Sequence, residues 1–97
     1  MIPVIFDPEA KSEFLEAVRY YEECQPGLGS RFKEAVESAT KSISIAPFRY
    51  RILHKPFRRL LLFQFPYSIL FSIEPDHIHI VAVAHSKRKP YYWLKRS

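Results

Sequence analysis

The sequence predicts an α+β domain: an N-terminal strand, an α-helical hairpin, then a mostly antiparallel sheet of three to four strands. Three observations predict it. Apolar residues recur at helical spacing from Ala10 to Ile45, and alternation by two takes over after Pro47. Both glycines of the chain fall in one short break, Pro26-Gly27-Leu28-Gly29, which separates two helical stretches.

Val4 to Phe6 is short, β-branched and aromatic, and reads as a strand. Asp7-Pro8-Glu9 opens a helix: Asp accepts an orphan N–H, Pro suits the first helical position, and Glu complements the dipole. Ala10, Phe14, Ala17, Val18 and Tyr21 make its apolar face, and Lys11, Glu16, Arg19 and Glu23 the opposite one. A second helix is expected from Ser30 to Ile45, with Leu28, Phe32, Ala35, Val36, Ala39 and Ile43 keeping the period until Pro47 stops it. Two such helices joined by a short turn form a hairpin that needs a sheet to cover.

The remaining segments supply that sheet. Tyr50 to Leu53 is a short strand, and Arg59 to Phe65 a long one after the Lys55-Pro56 turn. Pro66 makes a corner, since it cannot donate to a central ladder. In Ser68 to Ile73, Ile69, Phe71 and Ile73 share one side. From His77 to His85, Ile78, Ile80, Ala82 and Ala84 are expected on one face and Val81 and Val83 on the other. Short turns between consecutive strands make them antiparallel.

At 97 residues the chain is expected to be one domain spanning 1–97. With 47% hydrophobic and 26% charged residues it is too apolar for a disordered segment. One Cys excludes a disulfide framework. The start MIPVIFDPEA lacks a basic stretch followed by an apolar one, and the greasy run from Leu60 to Ile73 is broken by Gln64 and Pro66. A cytoplasmic protein with no membrane partner is therefore expected.

The charge is divided along the chain. Up to Ala46, five Lys+Arg face eight Asp+Glu, a net −3; from Pro47 onward ten face two, a net +8. The basic part also holds ten of the fifteen aromatic residues. Such a surface suits a polyanion or an acidic partner.

The densest cluster is His85-Ser86-Lys87-Arg88-Lys89-Pro90-Tyr91-Tyr92-Trp93, where the last strand ends. One chemistry it suits is RNA phosphodiester cleavage, with His85 or Tyr91 moving protons and Arg59 and Arg88 holding phosphate. The other is binding alone, with Arg49, Arg51, Arg58, Lys87 and Trp93 contacting a target or nucleic acid. Alternatively, Tyr91-Tyr92-Trp93 folds back as a short helix that plugs the sheet edge. His77 and His79 lack a third ligand in sequence, so no metal or cofactor is expected. Cys24 near a helix C-terminus is a poor nucleophile. Glu13, Glu16 and Glu23 read as a solvated helix face.

Taken in order, the pattern resembles the RelE/ParE superfamily of type II toxin–antitoxin toxins, in particular ParE-like plasmid stabilisation proteins. The residues that carry the resemblance are Pro8-Glu9-Ala10, Glu16-Ala17, Tyr20-Tyr21-Glu22, Gly27-Leu28-Gly29, Phe32, Pro47, Arg59, Phe65-Pro66-Tyr67-Ser68-Ile69 and His85-x-x-Arg88-x-Pro90-x-x-Trp93. It implies a growth-inhibiting toxin neutralised by a cognate antitoxin in a hetero-oligomer. The antitoxin would lie on the helical hairpin at Phe14, Val18, Tyr21, Phe32 and Val36. A ParE-like member would inhibit DNA gyrase. A RelE-like member would cut mRNA on the ribosome, with Arg59, Arg88, Tyr91 and His85 in the phosphate and proton-transfer roles. A third reading is a non-toxic module retained for antitoxin binding.

Overall fold

The computed structural model describes residues 1–96. In chain order it contains β1 (Val4–Phe6), α1 (Pro8–Cys24), α2 (Leu28–Ile45), a 3₁₀ turn (Pro47–Arg49), β2 (Ile52–His54), β3 (Phe57–Leu61), β4 (Tyr67–Ile73), β5 (Ile78–His85) and a final 3₁₀ turn (Leu94–Arg96). All five strands form one sheet in the order β1-β5-β4-β3-β2. β1 runs parallel to β5 at its edge, and the other pairings are antiparallel. The two helices cover one face, and the tail after β5 covers part of the other.

Local chemistry explains the helical hairpin. The Asp7 carboxylate accepts the Glu9 N–H at 2.9 Å and caps α1. Gly27, at φ 89°, makes the turn that a side chain would strain. It has no side chain to cap α2, so Glu22 reaches over from α1 and accepts the N–H groups of Gly27 at 3.0 Å and Gly29 at 3.1 Å. Gly29 lies inside α2, which begins two residues earlier than the expected Ser30. A Cβ there would lie 2.6 Å from the Val18 carbonyl oxygen, so this glycine sets how closely the helices cross. At the far end of α2 the buried Ser44 hydroxyl donates to the Ile2 carbonyl at 2.5 Å, fixing the start of the chain.

The main core lies between helices and sheet, where Ala10, Ala17, Phe32, Val36 and Ile43 meet Ile69, Phe71, Ile78, Ile80 and Val83. A smaller one on the opposite face joins Phe57, Leu70, Val81, Ala82, Ala84 and Trp93.

Two expectations about the strands are corrected. The third strand does not run from Arg59 to Phe65; it spans Phe57–Leu61. Leu62 turns back to donate its N–H to Tyr67 O at 3.0 Å, and Phe63 is left 99% exposed in the loop. The alternation along β5 also breaks. Leu70 pairs with Ala82 but Phe71 with Ile80, so Val81 is an extra residue, a β-bulge. Beyond it the faces exchange: Val83 joins Ile78 and Ile80 under the helices, and Ala82 and Ala84 turn to the tail side. No residue type announces this bulge; the pairing with β4 makes it.

Candidate functional site

β5 outruns its neighbour. β1 ends at Phe6, and the Asp7 N–H, bonded to Ile80 O at 2.8 Å, is the last backbone contact on that side. The edge of β5 beyond would be bare, and side chains complete it. Glu13 on α1 accepts the Val83 N–H at 3.0 Å through Oε1, and Arg96 from the tail donates to Val81 O at 3.3 Å. The same carboxylate takes Arg96 Nη1 at 3.0 Å and Nη2 at 3.1 Å, and the Tyr92 hydroxyl at 2.5 Å. Arg96 Nε reaches Glu9 at 2.6 Å, and Arg88 stands 3.7 Å from Glu13 with its guanidinium 3.9 Å above the Tyr92 ring.

Burial, and then the bond to Glu13, push the Tyr92 phenol far above its usual range, so it stays a donor. Burial lowers the Arg96 pKa, but the hydrogen bonds and charge of Glu13 outweigh it and the net shift is upward. Glu13 is therefore not part of a solvated face. Its side chain is 13% exposed and receives donors from β5 and the tail. The signal was present in the sequence: Glu13 falls between Ala10 and Ala17 at the three- and four-residue spacing of the buried stripe.

Held this way, the tail forms one wall of a cleft of about 180 Å³ on the sheet face away from the helices. Arg59, His85, Arg88 and Tyr91, chosen from the sequence as a possible nuclease set, all line it, together with Lys89, Ser68 and Ser86. Among the described residues no Asp or Glu side chain does. His85 Nδ1 accepts the Lys87 N–H at 3.0 Å, which leaves Nε2 as the nitrogen carrying the proton in the neutral ring. Tyr91 adopts φ 63° and sits 5.5 Å from the His54 ring and 5.9 Å from Trp93.

Other expected contact residues are distributed differently. Trp93 is buried to 3% exposure and packs edge-on to Phe57 at 5.1 Å, so it is a core residue and not a docking one. The tail segment packs on the sheet face through Trp93 and also covers the bare β5 edge, where Arg96 bonds Val81 O. Arg58 does not share the face of Arg59: its guanidinium donates to Tyr50 O at 2.7 Å and lies over the Phe48 ring. Arg49, Arg51 and Lys87 are exposed. On the helical hairpin, Phe32 and Val36, expected as antitoxin contacts, are 0% and 1% exposed and belong to the core. Phe14, Val18 and Tyr21 are half-buried against that core. The large apolar side chains that do reach solvent include Leu15, Tyr20, Phe48, Leu61 and Phe63, none of which was named in the sequence as a contact residue.

His77 pairs with Asp76 at 2.7 Å, and His79 lies 3.5 Å from Asp7. Among the described residues no group of three or more His, Cys, Asp and Glu side chains gathers as metal ligands. Also among them, no helix is long and apolar enough to cross a membrane.

A family model described as the ParE toxin of type II toxin–antitoxin system, parDE, matches residues 4–90. Among solved structures, a chain from a chromosomal ParDE toxin–antitoxin system of P. aeruginosa superimposes with a TM-score of 0.78 at 14% identity, over 90% of this chain and 98% of that one. That likeness is one of fold. No curated protein matches in sequence.

Proposed function

The chain belongs to the ParE toxin family of type II toxin–antitoxin systems, and from that premise we propose that it arrests growth by inhibiting DNA gyrase until a cognate antitoxin neutralises it. The observation that favours inhibition over RNA cleavage is the position of Arg88. The RNA-cleavage reading needs two guanidinium groups, Arg59 and Arg88, on the phosphate. Here Arg88 stacks on Tyr92 at 3.9 Å and faces the Glu13 carboxylate, so it is engaged in holding the tail. The cleft then serves as a cationic contact surface: Arg59, Lys89 and His85 meet the target, and the exposed Arg49, Arg51 and Lys87 extend the field around it. Its antitoxin is an acidic, partly apolar chain that covers this face and lies along the half-buried Phe14, Val18 and Tyr21 of the hairpin.

Purified toxin, freed of antitoxin and mixed with gyrase and relaxed plasmid, tests the reading. Supercoiling is expected to stop, and added antitoxin to restore it. Full supercoiling at stoichiometric excess, from a preparation that arrests growth when expressed, would overturn gyrase as the target. New mRNA 5′ ends that vanish in Arg88→Ala would install the nuclease in its place.

A further inference from the structure

The carboxylate of Glu13 joins segments that are far apart in sequence. It lies on α1, yet it bonds the backbone of β5 at Val83 and the side chains of Tyr92 and Arg96 in the tail. The apolar hold on that tail is small by comparison. Trp93 fits against Phe57, and Tyr92 and Leu94 are only partly buried around it. Beyond Ser86, whose N–H bonds Pro66 O at 2.8 Å, no regular strand or long helix anchors residues 87–96, whose backbone bonds include local turns such as Leu94 N–H to Tyr91 O at 3.1 Å and Arg96 N–H to Trp93 O at 3.0 Å. The tail's place on the sheet therefore depends on a small set of contacts: the shared Glu13 carboxylate, the Arg96 bonds to Glu9 and Val81 O, and one indole.

We propose that Glu13 is the positioning residue of the cationic cleft: it holds the tail as the cleft wall, and without its charge the wall detaches while the rest of the domain stays folded. Charge-assisted hydrogen bonds are the strong members of such a set, and removing their shared acceptor leaves Tyr92 and Arg96 without their buried partner. The main core does not depend on the clasp. Phe32, Ile43, Ile69, Phe71 and Ile80 are fully buried between helices and sheet, on the opposite face from Trp93. Arg88, half-exposed and the most distant of Glu13's charged neighbours, is placed by the same group. The cleft geometry thus depends on a residue outside the basic part of the sequence. The consequence for target binding rests on the gyrase reading above; the positioning itself does not.

Trp93 is the only tryptophan, so its fluorescence reports tail docking directly. The full chain, Glu13→Gln and the exposed-face control Glu16→Gln would be compared by acrylamide quenching and amide exchange. In Glu13→Gln, exchange at the Leu94 and Arg96 amides is expected to rise at least about tenfold, the scale of a lost charged hydrogen bond. Quenching should rise with it, while β4 and β5 amides keep their protection; Glu16→Gln should match the wild type. Unchanged Trp93 quenching in Glu13→Gln would overturn the proposal. So would loss of β4 and β5 protection in step with the tail, both in Glu13→Gln and in the milder Tyr92→Phe, because Glu13 would then be a general stability residue. A cycle with Arg96→Gln gives a further decision: a double variant no worse than Glu13→Gln is expected, and strict additivity would reject the shared clasp.

Inhibition of gyrase by Glu13→Gln should weaken about tenfold, in parallel with tail release. If the wild type leaves gyrase untouched, the functional reading fails and the fluorescence and exchange results still decide the role of Glu13. Undiminished inhibition by a variant with a released tail would show that the cleft wall is not what the target meets.

Discussion

The two faces of the sheet are held in different ways. On the helix side, Phe14, Tyr21, Phe32, Phe65 and Tyr67 form a continuous aromatic cluster with ring centroids 4.9–6.2 Å apart, backed by Val36, Ile43, Ile69 and Phe71. On the tail side one indole packs on Phe57 and Leu70, and ion pairs around Glu13 do the rest. Apolar burial is non-directional and cumulative, so the first face tolerates local imperfections and sets global stability. A polar clasp is directional and loses much of its value when one member is removed. The face that carries the cationic cleft is thus the one whose arrangement can change without unfolding the domain.

Truncations test that contrast most severely. Phe32→Ala should cost about 3–5 kcal/mol, a large share of the stability of a domain this size. Trp93→Ala removes a larger ring but should cost less, because the tail can move away and let water in. Urea titrations of the two variants by far-UV circular dichroism check the order, and an equal or greater loss in Trp93→Ala would break the comparison.

Next in size is Gly29→Ala. Its Cβ would lie 2.6 Å from Val18 O and 2.8 Å from Glu22 Cβ, so the hairpin must spread. A loss of about 1–3 kcal/mol is expected, read as a lower urea midpoint with the Trp93 environment unaltered. Asp7→Ala, which removes the α1 cap, should cost about 1 kcal/mol on the same assay.

The smallest effect sharpens the other side of the comparison. The Tyr92 pKa is higher in the folded than in the unfolded chain, so the stability it contributes is fully present below its unfolded value, about 10, and is lost as pH rises beyond it. Tail docking, followed by Trp93 emission, should weaken above about pH 10, and Tyr92→Phe should flatten that dependence. Tyr21 and Tyr67 are also raised by burial, so an alkaline decline in the circular dichroism signal should persist in the variant.

Much of the fold was legible because its determinants are local. Asp7-Pro8-Glu9 starts α1, the apolar stripes of both helices turn to the core with Ala10, Ala17, Phe32, Val36, Ala39 and Ile43 buried and Phe14, Val18 and Tyr21 partly so, and Pro47 follows the end of the second helix. Arg59, His85, Arg88 and Tyr91, named in the sequence as a possible phosphate and proton-transfer set, line one cleft. Residue type did not separate core from contact surface at Phe32, Val36 and Trp93, which suit either and are buried, and it misread Glu13, where a carboxylate on an apolar stripe looked like part of a wet surface.

What the sequence by itself determined, then, is the order of elements, the helical hairpin and its glycine turn, and the separation of acidic helices from a basic sheet and tail. These follow from backbone preferences, side-chain periodicity and charge, which act over a few residues. Tertiary structure alone decided the bulge at Val81, the exchange of faces beyond it, the burial of Trp93 and the partners of Glu13. Each depends on pairings between distant segments: β5 needs a partner for its edge where β1 stops at Phe6, and a helix and a tail meet there only once the sheet exists.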